Sequence, residues 1–310
     1  MNEKPIHPTP SARARELVHG AYDLHVHIDP DVIPRRITDI KLARRFAELN
    51  MAGFVLKSHY APTAERASAV RESVPGVCVM GALVLNNPVG GMNAAAVEIA
   101  ARSGARIVWM PTVDAANEAK ERAAFKPGAK LPLWAKLQQE LRESGIDSPP
   151  VRVVDEDGAL LPETRKVIEV IARHQMILAT GHLGRDEIFA VATAALDAGV
   201  RDVVITHPDY PTQSLSIEDQ IELAQRGAWL ERCFTTPHTG KIDWERVFEV
   251  TRATRVERTV LSTDLGQPAN PPVEDGLALF ADKFFAAGFS DDEVYTMAVK
   301  NSARLALGVK

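Results

Sequence analysis

The sequence predicts an α/β chain closed into a (β/α)8 TIM barrel, on three observations. Eight short apolar segments alternate along the chain with segments of helical period. Each apolar segment is too hydrophobic for a half-exposed sheet, so parallel strands covered on both faces are expected. No Gly-rich phosphate loop follows the first strand, which leaves a doubly wound open sheet as the weaker alternative.

Taken in order, the first strand lies in Ala21-Tyr22-Asp23-Leu24-His25-Val26-His27-Ile28 and stops at the turn-prone Asp29-Pro30. Thr38 can cap a helix to about Asn50, Phe54 to His59 is the second strand, and Pro62-Thr63 opens a helix through about Glu72. Val77 to Leu85 is the third strand, Met92 to Ser103 an Ala-rich helix stopped by Gly104, and Arg106 to Thr112 the fourth strand. The rhythm then breaks. Residues 113–161 read as an insertion and partial lid. It holds two polar helical pieces, Asp114 to Ala124 and Leu133 to Ser144, separated by Lys126-Pro127-Gly128, and a β-hairpin over Val151 to Leu161 broken at Asp155 to Gly158.

Regularity resumes with the helix Glu163 to His174 and strand five, Met176 to His182. The helix Asp186 to Asp197, strand six (Asp202 to His207), the helix Ser216 to Gln225 and strand seven (Ala228 to Phe234) follow. A helix over Asp243 to Thr254, strand eight (Arg258 to Asp264) and two helices, Gly276 to Ala287 and Asp291 to Leu307, complete the pattern.

A chain of 310 residues, 45% hydrophobic and 25% charged, can bury one large core, read here as a single domain over 1–310 with an N-terminal arm at 1–18. The net charge of -5 gives no long-range attraction for nucleic acid or anionic membranes, so a small-molecule partner is expected. No apolar run is long enough for a membrane span, and the polar, Pro-rich start does not read as a signal peptide. Cys78 and Cys233 sit in apolar runs, as buried thiols of a reducing compartment do, so a cytoplasmic location is expected. Apolar positions on the last helices leave room for a homo-oligomer, which helix periodicity does not separate from core packing.

The chemistry starts from His25 and His27, which two-residue spacing on a strand places on one face. Strands five, six and eight finish on His182, His207 and Asp264. In a barrel the C-terminal strand ends share one mouth, so these five residues are expected to converge. Neutral imidazoles with a carboxylate suit zinc or a similar borderline cation.

This constellation resembles the amidohydrolase superfamily of metal-dependent barrel hydrolases, over about residues 20–308. The segment Asn301-Ser302-Ala303-Arg304-Leu305-Ala306-Leu307-Gly308 is similar to the one that often closes that fold. His25 comes early, so the resemblance implies a bare barrel without the N-terminal β-sandwich many members carry. Binuclear members place a carboxylated Lys or a Glu at the end of strand four, where this chain has Ile107-Val108-Trp109-Met110-Pro111-Thr112. The resemblance therefore implies one metal ion rather than two, held by His25, His27, His182 and Asp264 with His207 beside the water. Lys57 and His59 share the inward face of strand two. Lys57 can be carboxylated, bind a substrate carboxylate or pair with Asp23, and Glu231 on strand seven is a further inward candidate or an ion-pair partner of Lys57.

The expected reaction is hydrolysis of a C–N or C–O bond in a small molecule such as an amide, cyclic amide, lactone or amidine. A zinc-type cation lowers the pKa of water from 15.7 to about 7, Asp264 takes the proton, and His207 orients the water or steadies the oxyanion. Arg35, Arg36, His238 and Lys241 fall in loops at the same mouth and are candidates for binding an anionic substrate group. The alternatives are a decarboxylase or other lyase built on the same site, and a non-catalytic barrel that binds a metal or metabolite.

Overall fold

The computed structural model describes residues 7–123 and 133–308, so Lys126-Pro127-Gly128, Ala124 and the first six residues of the N-terminal arm lie outside the described residues. Strands β1 (Tyr22–Val26), β2 (Gly53–Leu56), β3 (Cys78–Val84), β4 (Ala105–Trp109), β5 (Ile177–Ala179), β6 (Val203–Ile205), β7 (Trp229–Cys233) and β8 (Thr259–Ser262) stand side by side in chain order. Every neighbouring pair is parallel. A parallel bridge between Val26 and Leu265 brings β8 back to β1, with His27 N donating to Leu265 O and Asp264 N to His25 O, both at 2.8 Å. The sheet is thus a nearly closed barrel rather than an open doubly wound sheet.

The helices between strands follow the predicted segments with ends moved by one or two residues, as capping dictates. Asn93 accepts from Ala95 N and Ala96 N, and Ser216 accepts from Asp219 N, so each cap sits just outside the first helical residue. The strands are shorter than their apolar runs. β5 and β6 keep three residues each, and the polar residues that follow leave the ladder. His207 and Asp264 adopt left-handed φ values of 28° and 52°, which bend the chain out of regular strand conformation where the site begins.

Two expectations need correction. The hairpin over Val151 to Leu161 shrinks to a single bridge between Val154 and Leu160, because Val151 pairs instead with Ala115 and the Asp155 carboxylate accepts from Asp157 N and Ala159 N. Cys233 is buried but Cys78 is only partly so, and both thiols are free. The helix Ala12–Leu17 and the short helix Thr235–His238 were not foreseen. No helix among the described residues is long and apolar enough to cross a membrane.

Val55, Ile107, Trp109, Ile177 and Val260 belong to one buried apolar cluster, which Leu305 and Ala306 join at the N-terminal ends of the strands. There Asn301 Nδ2 donates to Thr259 O at 2.6 Å, Arg106 Nη2 donates to Leu305 O at 2.7 Å, and Ser302 Oγ accepts from Tyr22 N at 3.1 Å. The C-terminal Asn-Ser-Ala-Arg segment is therefore a stopper at the base, opposite the mouth that holds the histidines. Fully burying a side chain such as Leu305 stabilises the fold by roughly 1.5–3 kcal/mol.

Gly266, at φ 140°, packs against the seam so closely that a Cβ there would fall on the carbonyl oxygen of His27. Gly266→Ala is expected to cost about 2–4 kcal/mol in denaturant titration through backbone strain and overpacking. Gly104→Ala, at φ 90° with open space around it, is expected to cost only about 1 kcal/mol. Equal effects would show that the seam tolerates spreading.

Candidate active site

On β1, Val26 packs among the helices while His25 turns to Trp109 of β4, with ring centroids 5.5 Å apart. His27 follows on the face of His25. From there five imidazoles run round the mouth as a ring of neighbours, with centroid separations of 5.5 Å for His25–His27, 4.8 Å for His27–His59 and 6.1 Å for His59–His182. The circuit closes through His182–His207 at 5.1 Å and His207–His25 at 6.0 Å. Asp264 Oδ1 lies 3.2 Å from His25 Nε2 and 3.1 Å from His27 Nε2, so one oxygen and two ring nitrogens converge on one point. Lys57 Nζ sits 2.8 Å from the same His25 Nε2.

Each ring is held from behind. His25 Nδ1 faces Glu231 Oε2 at 3.1 Å, which places a proton on Nδ1, while Nε2 meets both Lys57 Nζ and Asp264 Oδ1. His182 Nδ1 lies 3.0 Å from Glu118 Oε1, a carboxylate supplied by the insertion helix Ala116–Ala123. His207 Nδ1 faces Gln213 Oε1 at 3.1 Å, and Gln213 Nε2 donates to Gly181 O at 3.2 Å. That second bond fixes which end of the amide meets the imidazole. His27 Nδ1 has a contact of 3.5 Å with Arg35 Nη2, at the outer limit of a hydrogen bond.

Burial would raise the Asp264 carboxyl, but His25 and His27 outweigh it and hold the group well below the usual carboxylate range. Burial lowers His207 to about 3, with the charge of His182 acting in the same direction, and drives His27 and His59 well down. His25 moves up, because Asp264 and Glu231 outweigh burial and Lys57. Burial depresses Lys57 despite the nearby carboxylates. The mouth therefore presents an ionised carboxylate among largely neutral imidazoles, a donor set suited to a divalent cation.

The structure brings His25, His27, His182, His207, Asp264, Lys57 and His59 together. Glu231 lies beneath His25 and forms its ion pair with it at 3.1 Å rather than with Lys57, and Cys233 Sγ, on the same face of β7, lies 3.7 Å from the same Nδ1. Asp23 does not meet Lys57 either: it accepts from Thr263 Oγ1 at 2.6 Å and from Thr263 N at 3.1 Å. Arg35 lines the cavity with its charge already paired to Asp31. Arg36 is turned away, its guanidinium donating to Pro268 O at 2.9 Å and Asn270 O at 2.7 Å. His238 stacks on Phe234 at 4.9 Å and is off the cavity wall. Lys241 remains at the mouth with no ion pair among the described residues. Glu118, Gln213, Thr112 and Cys233 were missed. Only Cys233 left a signal, two residues after Glu231 on one strand.

The cavity above these groups holds about 460 Å³, in the range of small-molecule sites. Leu133 and Trp134 of the insertion form part of its wall beside Tyr210. Behind it, Arg232 pairs with Asp209 at 2.6 Å, both nearly inaccessible, and this tie anchors the loop that carries His207 to β7. Asp209→Ala leaves a buried guanidinium without its carboxylate, and a loss of about 3–5 kcal/mol is expected by thermal or denaturant unfolding. A change within 0.5 kcal/mol would remove the anchoring role.

Among solved structures, an amidohydrolase from Pseudomonas aeruginosa matches with a TM-score of 0.59 at 10% identity, covering 94% of this chain and 98% of that one. A metallo peptidase from Rhodobacter sphaeroides, liganded with a phosphinate mimic of the dipeptide L-Ala-D-Ala, matches with a TM-score of 0.57 at 12% identity, covering 93% and 98%. N-acetyl-D-glucosamine-6-phosphate deacetylase from Mycobacterium smegmatis matches with a TM-score of 0.52 at 14% identity, covering 93% and 76%. At these identities the likeness is one of fold, an eight-stranded parallel (β/α)8 barrel. No curated protein matches the sequence. The model of a family of unknown function, DUF6282, matches residues 20–231, and the chain belongs to that family.

Proposed function

We propose that this barrel is a metal-dependent hydrolase that uses water to cleave a C–N or C–O bond of a small, anionic molecule. The observation that carries this reading is the meeting of His25 Nε2, His27 Nε2 and Asp264 Oδ1 at the floor of a ligand-sized cavity. Lys57 Nζ, 2.8 Å from His25 Nε2, stands beside the same point. The donors fit one divalent ion of the zinc type, held by His25, His27, His182 and Asp264. When bound, the ion supplies Lewis acidity and brings the pKa of water from 15.7 to about 7.

The side chains account for the rest. Asp264, ionised across the neutral range, accepts the proton of the attacking water and returns it to the departing nitrogen or oxygen. His207, its Nδ1 proton committed to Gln213, aims the Nε2 lone pair at that water and holds its orientation. Trp134 and Tyr210 narrow the wall and limit the entry of other water. Lys241, at the rim, attracts the anionic end of the substrate. The liganded R. sphaeroides neighbour makes dipeptides a rational start to a substrate panel, alongside cyclic amides and lactones.

Purified protein is expected to carry about one zinc-type ion per chain by elemental analysis, to lose turnover on chelation and to regain it on adding zinc. Full turnover after stripping the metal overturns the reading, and release of carbon dioxide without a hydrolysis product turns it to decarboxylation. Lys241→Ala is expected to raise KM for an anionic substrate about 5–10-fold with little change in kcat. An unchanged KM assigns anion binding elsewhere.

A further inference from the structure

His59 differs from the other histidines at the mouth in what stands behind it. Its Nδ1 lies 2.8 Å from the Thr112 hydroxyl, which follows β4. That hydroxyl also meets Asn86 Nδ2 at 2.7 Å. Thr112 N donates to Asn86 Oδ1 at 2.8 Å, and Asp114 N lies 3.3 Å from the same oxygen. Backbone N–H groups can only donate, so they fix Oδ1 and leave Nδ2 as the end that faces Thr112. Nδ2 must then donate to the hydroxyl oxygen. A hydroxyl has one proton, and among the described residues the only acceptor within reach of this one is His59 Nδ1. The ring nitrogen therefore accepts, and the ring carries its proton on Nε2.

His59 lines the cavity, next to His27 and His182 in the ring of imidazoles, and no described residue is bonded to its Nε2. Protonation of the ring would leave an Nε2–H in place, so only one tautomer would expose a lone pair there, and it would orphan the Thr112 proton in a buried site where Thr112 is wholly inaccessible. His25, His182 and His207 have the opposite arrangement, with Glu231, Glu118 and Gln213 as acceptors behind Nδ1. His27 is not fixed in this way, because its contact with Arg35 is long and the guanidinium has Asp31 as its acceptor.

We propose that His59 is not a metal ligand but a catalytic hydrogen-bond donor, whose Nε2–H is held toward the substrate oxygen on which negative charge develops. β4 thus contributes no ligand of its own. Its Thr112 serves as a positioning residue that sets the tautomer of a histidine from β2. The identity of the acceptor rests on the hydrolase reading above, while the place of the proton does not.

The test is a two-bond ¹H–¹⁵N correlation spectrum of the full-length protein, recorded metal-free and zinc-loaded, with His59 assigned by its absence in His59→Gln. The expected result is the Nε2–H pattern for His59 in both spectra, kept in Thr112→Ser and lost or mixed in Thr112→Val. Zinc per chain in His59→Gln is expected to equal that of the wild type. On whichever amide or lactone the wild type cleaves, His59→Leu is expected to lower kcat on the order of 10²-fold with a smaller change in KM, as for loss of one oxyanion donor. An Nδ1–H pattern in the wild type, or loss of bound zinc in His59→Gln, overturns the proposal, as does an unchanged kcat in His59→Leu. Absence of turnover on every substrate would instead defeat the hydrolase reading while the spectra still decide where the proton is.

Discussion

The arrangement depends on one seam, the parallel contact between β1 and the residues just after β8. His27 N reaches Leu265 O and Asp264 N reaches His25 O, both at 2.8 Å, so the backbone that closes the cylinder also sets the carboxylate against two imidazoles. Asp23 reinforces the join from below by accepting both the hydroxyl and the backbone N–H of Thr263. Gly266 permits the approach because nothing larger fits against His27 O. Closure and site assembly are the same event here, which explains why groups at opposite ends of the sequence come within hydrogen-bonding distance.

Around that seam the protein invests in orientation. A carboxylate, an amide or a hydroxyl stands behind Nδ1 of four of the imidazoles, and the supporting groups come from β7, the loop after β6, the insertion and the loop after β4. These elements are tied to their neighbours by buried polar contacts, among them Arg232 with Asp209 and Gln220, each at 2.6 Å. A lowered local dielectric makes such contacts strong when complete and costly when broken, so ring orientation is set by the frame rather than by solvent. Lys57 adds a charge where neutral groups predominate, balancing Asp264 and Glu231 within a buried volume.

Much of this was legible in the sequence because periodicity and strand-end chemistry are local signals. His25, His27, His182, His207 and Asp264 could be placed at one mouth once eight parallel strands were recognised, since strand ends of a barrel share a rim. The supports were not legible. Glu118 sits in a polar helix whose docking depends on the bond from Val151 N to Asp114 O, and Gln213 sits in a loop with no periodic pattern. Arg36 and His238 carried the right chemistry in the right loops, yet carbonyls of Pro268 and Asn270 claim the first and Phe234 the second. Sequence shows which residue types are near the rim, and side-chain competition decides which of them face the cavity.

The stopper at the base has a bearing on biosynthesis. Leu305 and Ala306 fill the bottom of the cylinder, and Asn301 and Ser302 fasten it to the starts of β8 and β1. Translation runs from the N-terminus, so β1 leaves the ribosome long before its partner and its plug exist. β1 can pair with β2 early, but its other edge must wait for the residues after β8, and the base stays unfilled until residues near 306 emerge. Ring closure in this chain therefore comes late in synthesis, after the residues that follow β8 and the plug at the base have been made.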